Sequence, residues 1–270
     1  MKLAVLIKQV PAVDTVRINE ATGVMEREGV ESELNPPDLH ALEAAIRIKE
    51  ENSGVKVTAI TMGPAQARKI LLGAIAMGCD DAVLLSDRKF AGADTLATAR
   101  TLAAAVDKLG GFDAVFSGER ATDGETGQVA PAVAELLGVP ALTYVSGIKR
   151  LTPNRVVVER AIEGGHESIA SPLPAVLSVT KEINRPRLTT LGGKLRAKGA
   201  DIPVYDAASL GLDDSGIGFK GSPTRVSKVM YPKVTRTGEK FFMAEDAEGT
   251  IKALSSFLSD NAFLTEETSL

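Results

Sequence analysis

Apolar and polar positions along the first 140 residues follow an order that is typical of βα units. Four short apolar runs predict buried strands at residues 3–7, 55–60, 82–85 and 114–116. Longer segments with apolar residues at helical spacing lie between and after them, as with Leu39, Leu42 and Ile46. Because strands alternate with helices, we predict an α/β fold with a mostly parallel, doubly wound sheet.

Two segments predict additions to this sheet. An insertion after the first strand, at residues 16–28, predicts an exposed hairpin that turns at Thr22-Gly23. From residue 142 to residue 180, short alternating runs separated by turn residues predict strands that extend the same sheet in antiparallel fashion.

The remainder of the chain has a different pattern. Residues 184–234 are rich in Pro, Gly, Lys and Arg, and they predict a docking loop followed by an extended arm. Residues 247–258 predict a short helix, which needs another surface to bury its apolar side chains. We therefore divide the chain into an α/β domain at 1–183, the loop and arm at 184–234, and a segment at 235–270 that packs on a partner subunit.

Composition excludes several classes of protein. The 270 residues are 44% hydrophobic and 24% charged, as in ordinary globular chains. A net charge of −4 and an aromatic content of 4% argue against nucleic-acid binding. One cysteine excludes an internal disulfide, and with two histidines it argues against a Cys- or His-based metal centre. A single cysteine is typical of a reducing compartment, and the apolar runs are shorter than a membrane span or a signal peptide requires, so we expect a cytoplasmic location.

The candidate chemistry lies in loops that follow the predicted strands, because ligands of open α/β sheets bind outside the carboxyl ends of the strands. In the fourth of these loops, residues 123–127 precede a predicted helix start, so free amides and hydroxyls would face an anion there. The chain lacks the glycine-rich nucleotide motifs, and the pattern leaves two interpretations open: a bound nucleotide diphosphate, or ordinary helix caps. Asn35 and Asp94 likewise precede helices and are expected first of all to be N-caps.

A basic segment at 181–198 contains six Lys or Arg residues and one acid. It contains no aromatic residue, which argues against nucleic acid and favours a docking site for a protein. Leu191 would be its apolar anchor inside a charged rim, although an inward-packed Leu191 is the alternative.

Several motifs together resemble the β (small) subunit of electron transfer flavoprotein, in order over residues 1 to about 234. They are IKQVPAVDTVRI, ESELNPPDLHALEAAIRIKE, AITMGPAQARKILLGAIAMGCDDAVLLSD, SGERATDGETGQVAPAVAELLG, LPAVLSV, INRPRLTTLGGKLRAK and GSPTRV. The resemblance implies an adenine nucleotide alpha hydrolase-like fold, an FAD-carrying α subunit as partner, and a docking loop for acyl-CoA dehydrogenase-type or other flavin dehydrogenases. That loop corresponds to 184–198, with Leu191 as anchor and Arg187, Lys194 and Arg196 around it.

The resemblance also implies a choice of cofactor. Carrier-type members bind AMP structurally, whereas electron-bifurcating members bind a second FAD, take hydride from NADH and pass electrons both to the α-subunit FAD and to ferredoxin or flavodoxin. Residues 92–98 and 123–131 resemble the bifurcating form, so FAD is expected and AMP is the alternative. No acid–base catalytic residue or metal is implied. A third possibility is an ATP-pyrophosphatase or stress-type nucleotide-binding protein, against which the absence of an S-G-G-x-D-S-type loop after the first strand argues.

The resemblance implies the following cofactor-binding residues. They are Leu6, Lys8, Asn35, Asp38, Met62, Gly63, Pro64, Asp94, Thr95, Thr98, Gly118, Ala121, Asp123, Gly124, Thr126, Gly127, Gln128 and Val129. In this assignment Asn35, Ala121 and residues 62–64 hold the adenosine end, while Thr95, Thr98 and residues 123–129 hold the diphosphate and ribityl groups.

Overall fold

A computed structural model describes residues 1–12, 17–18, 25–26, 31–225, 240–261 and 263. The chain forms two compact units, Met1–Lys228 and Val229–Leu270.

The first unit contains the strands and the first six helices. The strands are β1 (Lys2–Leu6), β2 (Gln9–Pro11), β3 (Arg17–Ile18), β4 (Met25–Glu26), β5 (Ser32–Leu34), β6 (Lys56–Met62), β7 (Asp81–Leu85), β8 (Ala114–Gly118), β9 (Ala141–Thr152), β10 (Arg155–Ile162), β11 (Gly165–Pro172), β12 (Ala175–Val179) and β13 (Val204–Tyr205). The helices are α1 (Pro36–Glu51), α2 (Arg68–Met77), α3 (Thr95–Lys108), α4 (Val129–Leu137), α5 (Leu191–Lys198) and α6 (Gly218–Gly221).

Within the described residues, nine strands form one sheet in the order β11-β10-β9-β12-β8-β1-β6-β7-β13. Neighbours from β9 to β13 along this order are parallel, whereas β9, β10 and β11 pair in antiparallel fashion. The predicted parallel sheet and its antiparallel extension are therefore confirmed.

Helices cover both faces of the sheet. Successive residues of β1 alternate between two cores: Leu3 and Val5 pack in the cluster that contains α1 and α2, and Ala4 and Leu6 in the cluster that contains α3 and α4. Strands buried on both faces need apolar residues at every position, which explains the continuous apolar runs in the sequence. The doubly wound α/β fold is confirmed.

The insertion after β1 contains the predicted hairpin. β3 and β4 pair in antiparallel fashion, with Arg17 opposite Glu26 and Ile18 opposite Met25. The predicted turn at Thr22-Gly23 lies outside the described residues.

Residues 184–225 contribute more to the core than their composition predicted. β13 adds a parallel strand beside β7 at the edge of the sheet. Ile202 is buried in the α1–α2 core, and Ala207 and Ile217 are buried in the α3–α4 core. These apolar residues follow no regular period in the sequence. They are buried nevertheless, because they pack on surfaces that the earlier strands and helices form.

The second unit contains a helix, α7 (Ala247–Asp260), which confirms the helix predicted at 247–258. Ile251, Leu254 and Phe257 are each more than half exposed along it. The partner surface expected to cover them stays a prediction, as does the division into three segments. No helix of the described residues is long and apolar enough to cross a membrane.

Candidate functional site

The candidate site lies at the topological switch point of the sheet, between β1 and β8. From β1 the chain proceeds outward to β6 and β7, and it returns to the other side of β1 as β8. Loops on the two sides of such a point diverge and leave a crevice at the carboxyl ends of the strands. We call this crevice the switch-point cleft. It is bordered by residues 7–8 after β1, by residues 119–128 after β8 and by the start of α3.

Asp38 ties the two strands of the cleft together. Its buried carboxylate accepts hydrogen bonds from the backbone N–H of Lys8, at 2.8 Å, and from that of Gly118, at 2.9 Å. Gly118 permits this approach, since a Cβ there would lie 2.6 Å from the Pro37 Cβ and 2.7 Å from Asp38 Oδ1. Both carboxylate oxygens are thus engaged within the protein.

Asn35 fixes the next part of the β8–α4 loop. Its side chain is 1% exposed, donates to the carbonyl of Arg120 at 3.0 Å and accepts from the Thr122 N–H at 3.1 Å. Asn35 occupies the predicted N-cap position of α1, but its side chain makes no capping bond to the helix. Asn35 and Asp38 both form part of the cleft wall. Their polar side-chain atoms are hydrogen-bonded within the protein, so these residues position the loops around the cleft.

Burial dominates the electrostatics of Asp38. It raises the pKa of the carboxyl group to about 7, although the N–H donors of Lys8 and Gly118 oppose the shift. The neighbouring Lys8 ammonium donates to Asp123 Oδ1 at 2.7 Å and links the loops after β1 and β8 across the cleft.

The loop from β8 to α4 presents backbone donors. Glu125 and Gly127 have positive φ angles of 51° and 64°, and the amides of Gly124 and Glu125 donate to Ala121 O. No side chain caps the start of α4. Within the described part of the chain, the amides of residues 126–130 have no protein acceptor. These amides form an open donor row at a helix start, which suits a phosphate group.

The start of α3 closes the other side of this row. Thr95 Oγ1 donates to Gln128 Oε1 at 3.1 Å and so joins the first turns of α3 and α4. Asp94 caps α3, accepting from the amides of Leu96 and Ala97 at 3.0 Å each, which confirms the predicted N-cap. Although partial burial raises the pKa of Asp94, these bonds and those from Thr224 lower it overall.

The other predicted cofactor residues lie around the same edge or beneath it. Thr98 follows the Asp94 cap in the first turn of α3. Met62 ends β6, and residues 63–64 follow it, with the Gly63 N–H donating to Leu85 O at 3.0 Å. Leu6 is only 5% exposed and packs in the α3–α4 core, so its side chain supports the cleft from below. Cys79 is fully buried between α2 and β7, where burial raises the pKa of its thiol to about 12, as expected for a structural residue.

The predicted docking loop contains a helix, α5, which packs on α2. Thr190 caps it through the Gly193 N–H at 2.9 Å, and a Cβ at Gly193 would collide with the carbonyl oxygen of Ala76. Leu188, Leu191 and Leu195 are 91%, 76% and 65% exposed. Leu191 therefore points to solvent rather than packing inward, and its role as an anchor stays a prediction.

The cations expected around Leu191 differ in their contacts. Arg187 forms ion pairs with Glu43 and Glu50 of α1, and Arg196 donates to the carbonyl of Ile75 at 2.6 Å. Lys194 is exposed, and its side chain makes no hydrogen bond or ion pair to a described residue. Of these three predicted rim cations, Lys194 alone is therefore uncommitted, because the two arginines hold their segment to α1 and α2.

Sequence reasoning missed Tyr144, on β9. It has a positive φ of 55°, is 50% exposed, and directs its hydroxyl toward Gly127 of the β8–α4 loop. A single aromatic residue in a strand gives no sign of such a backbone, so no signal in the sequence could have found it.

Comparison with known proteins decides the family. A profile of the electron transfer flavoprotein domain matches residues 22–210. The chain belongs to the electron transfer flavoprotein family. It is 46% identical over 242 residues to the electron transfer flavoprotein subunit beta of Thermoanaerobacterium thermosaccharolyticum, an alignment that covers 89% of this chain and 92% of the relative.

Two further relatives carry other names. The chain is 44% identical over 239 residues to the caffeyl-CoA reductase-Etf complex subunit CarD of Acetobacterium woodii, covering 88% of this chain and 91% of CarD. It is 40% identical over 255 residues to protein FixA of Azorhizobium caulinodans, covering 92% and 90% of the two chains. The family serves electron transport, and its β subunits pair with an α subunit.

Proposed function

We propose that this chain is the small subunit of a heterodimeric electron transfer flavoprotein and binds FAD in the switch-point cleft. The observation that carries the proposal is the row of open amides at residues 126–130, at the point of an α/β sheet where nucleotides bind. A row of this length offers donors to both phosphates of a dinucleotide, which favours FAD over AMP.

Different residues around the cleft would contact different parts of the nucleotide. The amides of residues 126–130 would hold the diphosphate, with Thr95 and Gln128 beside them. Lys8 lies at the rim of the cleft with its ammonium paired to Asp123, so this pair adds no net charge there and the amides would hold an anionic ligand. A bound flavin would supply the hydride and single-electron chemistry, while the protein positions it and sets its surroundings.

In this proposal NADH would be the electron donor to a flavin held by this subunit. The two acceptors would be the α-subunit FAD, which serves an acyl-CoA dehydrogenase-type partner, and ferredoxin or flavodoxin. The similarity to a subunit of a caffeyl-CoA reductase-Etf complex supports a partner that acts on acyl-CoA substrates. A cytoplasmic location is part of this proposal.

The alternative is a carrier-type subunit that binds AMP and has no redox centre of its own. Nucleotide extraction from the purified heterodimer with its α subunit distinguishes the two. Two FAD per heterodimer supports the proposal, whereas one FAD and one AMP overturns it.

A pair of glycine variants tests the location of the nucleotide. Gly127→Ala places a side chain at a φ of 64° inside the β8–α4 loop, and its Cβ would lie 3.4 Å from Glu119 O. Gly164→Ala introduces comparable backbone strain at a φ of 81° in the β10–β11 turn, where nothing lies within 4 Å of the new Cβ. We expect Gly127→Ala to lose nucleotide during purification and Gly164→Ala to retain it. Equal retention in both variants would place the nucleotide elsewhere.

A further inference from the structure

Tyr144 has a backbone conformation that tyrosine rarely adopts. Its φ of 55° lies in the left-handed region, where a Cβ meets the backbone. Such residues persist only when the surrounding structure enforces them, and they are concentrated at functional sites.

An irregularity in β9 enforces the conformation. Leu142 pairs with Leu177 and Val145 pairs with Val179, so Thr143 and Tyr144 together face Ser178 of β12. The register with β10 also shifts, since Val145 pairs with Arg160 and Gly147 with Glu159. Two residues opposite one constitute a β-bulge, and bulges redirect side chains out of the regular alternation.

The redirected side chain reaches the switch-point cleft. Its hydroxyl lies 3.9 Å from the point that a Cβ on Gly127 would occupy. Gly127 belongs to the open donor row at the start of α4. The Tyr144 hydroxyl, like those amides, has no hydrogen-bond partner among the described residues, and the side chain is half exposed. A hydroxyl donor thus stands beside the amides at the mouth of the cleft.

We infer that Tyr144 is a binding residue of this cleft, whose hydroxyl donates to a phosphate oxygen of a bound nucleotide diphosphate while its ring covers one side of the ligand. The inference rests on the proposed function, because the ligand is the nucleotide assigned above. It adds a residue on β9, outside the loops that surround the cleft, and it explains why a strained tyrosine is kept at a half-exposed position.

Two variants separate binding from packing. Tyr144→Phe removes only the hydroxyl, and we expect it to weaken nucleotide binding to the purified heterodimer roughly tenfold, a typical loss for one hydrogen bond to a charged group. Tyr144→Gly removes the side chain and the strain together. It should weaken binding at least as much, yet raise the unfolding temperature of the nucleotide-free heterodimer, because glycine accepts a positive φ without cost.

The measurements are the dissociation constants of FAD and ADP, from calorimetric titration of the heterodimer stripped of nucleotide. Tyr205→Phe, on β13 at the far edge of the sheet, is the matched control and should bind as the wild type does. If wild type binds FAD and Tyr144→Phe binds it equally well, the inference is overturned and the proposed function stands. If wild type binds ADP but not FAD, the proposed function fails, and an equal ADP affinity of Tyr144→Phe overturns the inference as well. If wild type binds neither, both fail. A Tyr144→Gly variant with unchanged affinity and a lower unfolding temperature assigns Tyr144 to packing and overturns the inference.

Discussion

The guanidinium Nε of Arg187 lies 2.7 Å from Oε2 of Glu43, whose side chain is only 3% exposed on α1. The same guanidinium pairs with Glu50, about two turns further along the helix. Although burial raises the pKa of Glu43, the hydrogen bonds from Arg187 and Arg47 lower it overall. The chain that leads to α5 is thus fastened to the α/β domain by a partly buried ion pair, far along the sequence from its partner.

Replacing Arg187 tests the strength of this link. Arg187→Ala leaves the buried Glu43 carboxylate with Arg47 alone, and removal of one member of a buried pair is costly. We expect the free energy of unfolding to fall by about 2–3 kcal/mol, measured by urea denaturation. Lys194→Ala is the control: it removes an exposed cation of the same segment and should change stability by less than about 0.5 kcal/mol. An equal change in the free energy of unfolding in the two variants would show that the Arg187–Glu43 ion pair does not stabilise the protein.

The buried carboxyl of Asp38 predicts a pH dependence of stability. Its pKa is about 7 in the folded protein, against an ordinary value of 3.8, so the folded state holds the proton more tightly. The contribution of this carboxyl group to the free energy of unfolding is therefore fully present below about pH 4. It is lost as the pH rises toward 7, which lowers the free energy of unfolding by about 2–4 kcal/mol. Asp38→Asn does not titrate and should lack this part of the slope. Urea denaturation of both proteins from pH 4.5 to 7.5 measures the difference; parallel curves would contradict the raised pKa.

Gly118, the last residue of β8, and Gly124, within the loop that follows it, form a matched pair. Gly118→Ala forces a Cβ against Pro37 and Asp38, whereas nothing lies within 4 Å of a Cβ at Gly124. We expect Gly118→Ala to cost about 1–3 kcal/mol in the free energy of unfolding and to loosen the Asp38 bonds to both strands. Gly124→Ala should stay within about 0.5 kcal/mol of the wild type. Thermal unfolding provides the comparison, and a Gly118→Ala protein as stable as Gly124→Ala would contradict the close approach.

The exposed leucine at the start of α5 tests the docking prediction. Leu191 is 76% exposed, so Leu191→Ala should leave stability unchanged. It should slow electron delivery to the dehydrogenase partner several-fold, as loss of an apolar anchor does, and leave NADH oxidation by an artificial acceptor intact. Ile162→Ala, at a residue on β10 that is 46% exposed, should affect neither rate. Loss of both activities in Leu191→Ala would contradict a role confined to docking.

The repetitive part of the fold follows from the sequence, because strands covered on both faces require apolar residues throughout and helices carry a 3.6-residue period. The capping role of Asp94 could also be predicted, because it depends on local sequence: the amides that Asp94 accepts from are only two and three residues away. Asn35 was not, because its side chain bonds residues 120 and 122, which approach it only after β8 lies beside β1.

The candidate site shows the same limit. The loop at residues 119–128 was located from its glycines and its place after a strand, but its open amides could be recognised only from the backbone path. Arg187 shows the same limit: the basic segment gives no sign that its guanidinium pairs with acids on α1. Contacts between distant segments carry no local signature.

The close packing of Gly193 against α2 affects how α5 can be recognised by a partner protein. Because the main chains of α5 and α2 nearly touch there, α5 has little freedom to tilt or slide. Its protruding leucines are held in fixed positions before any encounter, so an incoming protein need not immobilise them, and less entropy is lost on association. New specificities can then arise by exchanging Leu191 and Leu195, the two outward leucines of α5, while the packing of α5 on α2 is left unchanged.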